Sequence, residues 1–180
     1  MRIVSGTHRG RKIIAPNDLP VRPTTDLAKE SLFNILNNYY DFDDLTVLDL
    51  FAGIGSISFE FSSRGAMSVT SVEKEFKCVK FLNKTIEDMK FENIQVVKAD
   101  AFKFLSFPHP AYDVIFADPP FDMEGFEQLP GLVFTNNLLK SYGRLIIEHP
   151  RNIDFSQSEN YLETRNYGKV HFSFFGTQDI

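Results

Sequence analysis

The sequence predicts an α/β domain in which helices cover both faces of a mostly parallel sheet. Short apolar runs alternate with helix-compatible segments from residue 46 to residue 148, an alternation typical of βαβ crossover units. Acidic or glycine-containing turns follow these runs, and open α/β sheets bind their ligands at such strand ends. A length of 180 residues with 43% apolar residues fits one globular domain.

The elements follow from apolar spacing along the chain. A first helix is predicted at 26–38, where apolar residues recur at helical spacing and Asp26 adds a favourable charge to the first turn. The predicted strands span 46–50, 68–73, 94–99, 112–117 and 144–148. The helices between them are predicted at 56–63, 74–90 and 101–105, with one or two more within 125–140. Residues 161–167 and 169–175 flank Gly168 and are rich in β-branched and aromatic residues, so we expect a closing antiparallel pair and about seven strands.

Basic residues are concentrated near the start of an acidic chain. Residues 1–22 carry five basic side chains and one acidic one, a net charge of +4, whereas the whole chain carries −5. The basic residues are Arg2, Arg9, Arg11, Lys12 and Arg22. Such asymmetry indicates either contact with a polyanion or a solvated surface segment. We expect residues 1–25 to form a basic arm packed on a domain of residues 26–180.

Several other classes of protein and site are disfavoured. The longest uncharged stretches fall short of the roughly 20 apolar residues of a membrane helix, and the polar N-terminus does not resemble a secretory signal, so we expect a cytoplasmic protein. Cys78 is the lone cysteine and lies in a helical pattern, which favours a buried, inert thiol. No Cys/His spacing resembles a zinc site, and we expect no metal. Three histidines are interpreted as surface or satisfied groups: His109, His149 and His171.

The first strand leads into a glycine-containing turn. Residues 49–55 read DLFAGIG, with glycines at 53 and 55. Glycines at these positions permit a tight turn and close approach of a ligand to the backbone. Ser58 stands where the dinucleotide fingerprint would have its third glycine, so the loop predicts a ligand site without specifying a dinucleotide.

Carboxylates end the next two strands. Glu73 lies 20 residues beyond Gly53, a spacing suited to accepting hydrogen bonds from ribose hydroxyls. A surface glutamate at a helix N-terminus is the alternative. Asp100 follows the third strand and could accept from the exocyclic amine of adenine, or cap the helix that starts at Ala101; both roles can hold together.

The fourth strand ends in the sharpest motif of the chain, which reads Asp118-Pro119-Pro120-Phe121. Two prolines fix the backbone and present carbonyl groups without competing N–H donors. A carboxylate, a rigid carbonyl and an aromatic ring are therefore displayed together at the ligand edge. A stiff turn is the structural alternative, and core packing is the alternative for Phe121.

These motifs together resemble the Rossmann-like class I S-adenosylmethionine-dependent methyltransferases that modify exocyclic amino groups. The flanking segments 6–12, GTHRGRK, and 22–26, RPTTD, more narrowly resemble the RsmD family of 16S ribosomal RNA guanine-N2 methyltransferases. The similarity runs from about residue 2 to about residue 175, although residues 149–163 carry no signature. The resemblance implies a cytoplasmic enzyme that uses S-adenosylmethionine and acts on ribosomal RNA or the small ribosomal subunit. The absence of a heptad pattern favours a monomer.

The resemblance also implies a role for each motif. The catalytic segment would be Asp118, Pro119, Pro120 and Phe121. In it, Asp118 and the Pro119 carbonyl would accept hydrogen bonds from the target amine, and Phe121 would stack on the base. The cofactor residues would be Asp49, Phe51, Ala52, Gly53, Gly55, Glu73, Asp100 and Ala101, with Arg22, Thr24 and Thr25 closing over the site. The residues that meet RNA would be Arg2, His8, Arg9, Arg11 and Lys12.

Other functions remain compatible with parts of this pattern. The DPPF segment is also compatible with methylation of DNA adenine or protein glutamine. A catalytically inactive RNA chaperone that binds S-adenosylmethionine is a further alternative, and an NAD-dependent oxidoreductase is a distant one.

Overall fold

The structure is a computed structural model that describes residues 1–16, 19, 26–168 and 170–177. The described residues form one seven-stranded sheet. Its strands are β1 (Thr46–Asp49), β2 (Ser68–Glu73), β3 (Ile94–Lys98), β4 (Tyr112–Ala117), β5 (Leu139–His149), β6 (Tyr161–Tyr167) and β7 (Val170–Phe175). The α-helices are α1 (Asp26–Leu36), α2 (Ser56–Ser63), α3 (Phe76–Met89), α4 (Ala101–Leu105) and α5 (Leu129–Thr135). Short 3₁₀ helices lie at Phe42–Asp44 and Phe126–Gln128.

The strand order is β3-β2-β1-β4-β5-β7-β6. The first five of these strands run parallel, whereas β7 lies antiparallel between β5 and β6. The order reverses between β1 and β4, so the carboxyl ends of these strands flank the topological switch point where α/β proteins bind ligands. The predicted fold class is thereby confirmed, including the C-terminal antiparallel pair; residue 169, the predicted start of the last strand, lies outside the described residues.

Apolar side chains on both faces of the sheet form the core. In β4, Ile115 and Ala117 face a cluster that includes α4 and α5 side chains, while Val114 and Phe116 face a cluster built by α1 and α2. This alternation follows from the two-residue period of a strand. The central strands are therefore apolar on both sides, as parallel sheets require. No helix in the described ranges has the length and apolar character needed to cross a membrane.

Strand β5 begins five residues earlier than the predicted start at residue 144. The extension is irregular, because Tyr112 pairs with Leu139 whereas Val114 pairs with Arg144. Within it Tyr142 adopts a left-handed backbone with φ of 63°. The regular part of the strand starts at Arg144, and only this part carries the continuous apolar pattern that the sequence reveals.

Helix α3 begins at Phe76, two residues later than predicted, because the Glu73 side chain binds the backbone just before the helix. The Glu73 carboxylate accepts a hydrogen bond of 2.7 Å from the Glu75 backbone N–H, and Glu75 remains extended as the N-cap residue. Helix α1 ends at Leu36, two residues before the predicted end, and residues 37–39 form a turn.

Candidate active site

The loop between β1 and α2 depends on its two glycines. Gly53 and Gly55 have φ values of 53° and 82°, which L side chains rarely adopt. A Cβ atom at Gly55 would also lie 2.5 Å from the Phe59 ring and 2.6 Å from the Leu82 side chain. The backbone of this loop can therefore pass closely over the first turn of α2, where a bound ligand can approach its N–H groups.

Glu73 ties this loop to the end of β2. Its Oε2 atom accepts a hydrogen bond of 2.8 Å from the Gly53 N–H, and its Oε1 atom accepts the Glu75 N–H. The side chain is buried, with 9% of its surface exposed. Each carboxylate oxygen has two lone pairs, so these bonds leave acceptor capacity for a hydroxyl-bearing ligand. Glu73 is thus a structural link as well as a candidate ligand group, and the surface-glutamate alternative is wrong.

Asp49, the last residue of β1, is fully buried below the same loop. Its Oδ2 atom accepts a 2.6 Å hydrogen bond from the Ser58 hydroxyl, which also lies 2.7 Å from the Ser71 hydroxyl. Burial raises the pKa of Asp49 to about 7, and the Glu73 charge adds to this shift while the Ser58 hydrogen bond opposes it. The loop therefore begins at a carboxyl group that titrates near neutral pH.

Asp100 caps α4, as the structural alternative predicted. Its Oδ1 atom accepts from the N–H groups of Phe102 and Lys103, at 3.1 and 3.2 Å. Among the described residues, no hydrogen bond to Oδ2 is found, so the cap is compatible with a second role toward a ligand. Ala101 follows as the buried first residue of the helix.

The DPPF segment leaves the sheet beside these loops. It follows β4, in which Phe116 pairs with Asp49 of β1 and Ala117 pairs with Ile147 of β5. Asp118 is half-buried and Pro119 buried, whereas Pro120 and Phe121 are exposed. Phe121 has 52% of its surface exposed, so the core-packing alternative for this ring is wrong. A partly exposed carboxyl group and an exposed aromatic ring therefore lie next to the switch point.

The structure thus brings most of the predicted site residues to one edge of the sheet. The residues following β1, β2, β3 and β4 meet there because these strands are neighbours and parallel. Phe51 packs on the core cluster beside α4, and Ala52 is buried below the N-terminal segment. Three predicted cofactor residues lie outside the described residues: Arg22, Thr24 and Thr25.

Residues 1–13 form a hairpin, which we call the N-terminal hairpin. An antiparallel bridge joins Arg2 to Lys12, and the Ile3 N–H donates to the Arg11 carbonyl at 3.0 Å. Ile3 and Ile13 are buried against side chains of the α2 and α3 region. Four of the predicted RNA-binding side chains are exposed on the hairpin: Arg2, Arg9, Arg11 and Lys12.

Glu60 of α2 fixes the hairpin to the domain, a role that the sequence did not reveal. Its carboxylate is fully buried and accepts the backbone N–H groups of Val4 and Ser5 at 2.9 and 3.0 Å. It also pairs with Arg64 at 2.9 Å and with the buried Lys29 at 3.5 Å. Burial lowers the pKa of Lys29 although the Glu60 charge opposes the shift. Apolar periodicity carries no information on such a buried acidic residue.

Two further contacts hold the tip of the hairpin. Gly6 has φ of 81°, and a Cβ atom there would lie 1.7 Å from the Ser63 carbonyl oxygen, so a larger residue cannot fit. His8 stacks on Phe91 with ring centroids 4.2 Å apart, and its Nε2 atom lies 2.9 Å from the Met89 carbonyl oxygen. Arg2 pairs with Asp26 and Glu30 of α1. Arg2 and His8 therefore have protein partners, whereas the described residues provide no side-chain partner for Arg9, Arg11 and Lys12.

His109 and His149 have protein partners and Cys78 is buried, as predicted. His109 stacks on Phe104, and its Nε2 atom lies 2.8 Å from the Phe104 carbonyl oxygen. His149 is buried, contacts the Ser173 hydroxyl at 2.8 Å and has its pKa lowered by burial. Burial raises the pKa of Cys78 to about 11, so its thiol stays protonated. In the described part of the chain, no three metal-binding side chains come together.

Comparison with known proteins agrees with this geometry. The family described as Conserved hypothetical protein 95 matches residues 1–176. Ribosomal RNA small subunit methyltransferase D of Haemophilus influenzae is 35% identical and aligns over 97% of this chain and 93% of its own. The enzyme of the same name from Escherichia coli K12 is 34% identical over 91% of this chain and 78% of its own.

Solved structures show the same architecture. A putative methylase from Haemophilus influenzae has a TM-score of 0.79 and 33% identity, covering 97% of this chain and 96% of its own. A putative methyltransferase from Escherichia coli has a TM-score of 0.85 and 29% identity over the same shares.

Proposed function

The chain belongs to the family of the ribosomal RNA small subunit methyltransferases D, the RsmD family, and from that premise we propose that it methylates the exocyclic N2 amine of a guanine in 16S ribosomal RNA. The DPPF segment beside the switch point carries this proposal, because it offers an acceptor carboxylate and an exposed aromatic ring at the ligand edge. We call the loops after β1, β2 and β3 the cofactor edge, and the ends of β4 and β5 the acceptor edge.

The cofactor edge fits S-adenosylmethionine, which supplies an electrophilic methyl group on a positively charged sulfur atom. Residues 49–55 would hold the methionine end, where the glycine backbone allows close approach and the Asp49 carboxyl group can pair with the ammonium group. Glu73 would accept hydrogen bonds from the ribose hydroxyls through its remaining lone pairs. Asp100 Oδ2 and the Ala101 N–H would meet the adenine.

The acceptor edge would make a poor nucleophile reactive. The N2 lone pair of guanine is delocalised into the ring, and hydrogen bonds from the amine to Asp118 and to the Pro119 carbonyl favour its pyramidal form. When bound, S-adenosylmethionine would supply the methyl group that this lone pair takes up, and it would leave as the neutral sulfide. Asp118 stabilises the positive charge that develops on nitrogen and accepts the surplus proton, directly or through water. Most of the remaining rate enhancement comes from in-line positioning.

The exposed ring and the N-terminal hairpin would bind the RNA. The target base must leave its stack to reach Asp118, at a cost of a few kcal/mol, and stacking on Phe121 returns part of that cost. Arg9, Arg11 and Lys12 would contact phosphates through counterion release. The scheme needs protein groups from one chain only, which supports a monomeric enzyme. An rRNA substrate supports a cytoplasmic location for the protein.

The test is incubation of the purified protein with methyl-labelled S-adenosylmethionine and small ribosomal subunits from a strain that lacks the gene. Digested nucleosides are then separated. We expect label in N2-methylguanosine, and none with Asp118→Ala protein that still binds S-adenosylmethionine. Label in protein glutamine, label in DNA adenine when DNA replaces the subunits, or no labelled product despite intact cofactor binding would overturn the proposal in favour of the corresponding alternative.

A further inference from the structure

A second carboxylate lies next to Asp118 at the acceptor edge. Strands β4 and β5 run parallel, and the last paired residues are Ala117 and Ile147. The residues that follow are Asp118 and Glu148. Because neighbouring strands lie about 4.8 Å apart, these two acidic residues lie side by side, Asp118 just beyond the end of β4 and Glu148 inside β5.

Both residues follow the same face of the sheet. Phe116 and Ile146 lie in the core cluster under α1 and α2, and side chains two residues further along a strand return to the same face. On its other side, Glu148 pairs with Phe172 of the antiparallel strand β7, and Phe172 belongs to the same cluster. Glu148 therefore continues the row that Asp118 continues on β4.

The position of Glu148 is an unusual one for a carboxylate. Only 4% of its surface is exposed, its neighbours Ile146 and Phe172 are apolar, and burying a charge is costly unless the charge is used in specific contacts. A carboxylate accepts up to about four hydrogen bonds. Glu148 can therefore contact the protein and a ligand together, as Glu73 can at the cofactor edge.

The chemistry of guanine matches such a pair of acceptors. The Watson–Crick edge of guanine carries two adjacent donors, the N1–H and the N2 amine, whereas adenine has an acceptor lone pair at N1. We propose that Glu148 accepts the N1–H of the target guanine while Asp118 accepts from N2, so that Glu148 determines specificity for guanine. This inference rests on the function proposed above.

The pairing would reject adenine as well as select guanine. An adenine in the same position would direct its N1 lone pair at a carboxylate oxygen, with no proton between the two acceptors to form a hydrogen bond. A site built to hydrogen-bond a particular group discriminates strongly against an analogue that lacks it. Since Glu148 is buried, only a base that has been flipped out of its stack can reach it.

The experiment uses 2-aminopurine, which keeps the N2 amine but carries a lone pair at N1. Small subunits are assembled on RNA with guanine or 2-aminopurine at the mapped position, and kcat/KM is measured for wild-type, Glu148→Gln and Glu159→Gln proteins. Glu159, an exposed loop residue, provides the matched control. The effect of the O6 atom that 2-aminopurine lacks is present in every protein's preference, and it cancels when the preference of a variant is compared with that of the wild type.

We expect the wild-type enzyme to prefer guanine by about 100-fold or more, and Glu148→Gln to reduce this preference at least about tenfold. The glutamine amide can donate to N1 of 2-aminopurine, so activity on that base should change little. Glu159→Gln should keep the wild-type preference, and Glu148→Asp should restore part of it.

An equal loss of activity on both bases in Glu148→Gln protein would assign Glu148 a purely structural role and overturn the inference. So would an unchanged preference. If wild-type protein labels neither guanine nor 2-aminopurine, the proposed function itself fails, which is a distinct outcome.

Discussion

The loop after β1 and the segment after β4 lie on adjacent strands but are held in different ways. The first is fixed by hydrogen bonds, with Glu73 accepting the N–H of Gly53 and Asp49 accepting from Ser58. The second depends on two prolines and leaves Phe121 half exposed. The cofactor edge is therefore held in place by internal hydrogen bonds, whereas the acceptor edge exposes an aromatic ring that is free to contact a base. This difference predicts that substitutions at the two edges affect different steps.

The largest effect is expected at the acceptor edge. Asp118→Ala should lower turnover by about 10³-fold or more, because it removes both the proton acceptor and the stabilising charge. The dissociation constant for S-adenosylmethionine should stay within a few fold, as measured by calorimetry. A large loss of cofactor affinity would show that the two edges are not separate in function.

The reverse pattern is expected at the cofactor edge. Glu73→Gln should raise the dissociation constant for S-adenosylmethionine about 10- to 100-fold, since hydrogen bonds to a charged group contribute about 1.5–3 kcal/mol. Turnover at saturating cofactor should fall much less. Glu75→Gln is the matched control, because its exposed side chain is altered while its N–H bond to Glu73 is kept. Equal affinities of the wild-type, Glu73→Gln and Glu75→Gln proteins for S-adenosylmethionine would exclude Glu73 from ribose binding.

A smaller effect is expected on the N-terminal hairpin. Arg9→Ala with Arg11→Ala should weaken RNA binding about tenfold near physiological salt, and should lower the slope of log affinity against log salt by about 0.7–0.9 for each phosphate that is no longer neutralised. Arg165→Ala, on the opposite edge strand β6, is the control and should leave the slope unchanged. An unaltered slope in the double variant would identify the hairpin as a solvated surface only.

A different kind of effect is expected on stability and its dependence on pH. Burial raises the pKa of Asp49 to about 7, above the value of about 3.9 in an unfolded chain, so wild-type stability should fall as pH rises from about 4 to about 7. Asp49→Asn keeps an acceptor for Ser58 but does not titrate. Its melting temperature should exceed the wild-type value by about 10 °C at pH 8, since the difference between the two pKa values corresponds to about 4 kcal/mol and 1 kcal/mol to about 2–4 °C.

The gap between the two melting temperatures should shrink toward pH 5 when scanned without cofactor. A gap independent of pH would show that Asp49 is ionised in the folded protein throughout this range.

The sequence predicted the positions of the strand-end loops better than it predicted the hairpin, for physical reasons. Strand ends carry local signals, such as Gly53, Asp100 and Pro119, which the backbone conformation itself demands. The anchoring of the hairpin depends on Glu60, whose contacts with Val4 and Ser5 span 55 residues or more. No local pattern marks a buried acid whose partners are backbone amides far away. The early start of β5 was missed for a related reason, since tertiary pairing overrides the weak propensity of residues 139–143.

The docked hairpin has a consequence for the entropy of the RNA binding that we propose. Ordering a free backbone costs about 1–2 kcal/mol for each residue, and a mobile basic tail would incur that cost when it met the RNA. Here Glu60, Ser63 and the ring stack between His8 and Phe91 have already ordered the segment that carries Arg9, Arg11 and Lys12. The entropy cost of ordering this backbone is therefore part of folding and not of RNA binding. Each cation that contacts a phosphate then loses only the conformational freedom of its own side chain.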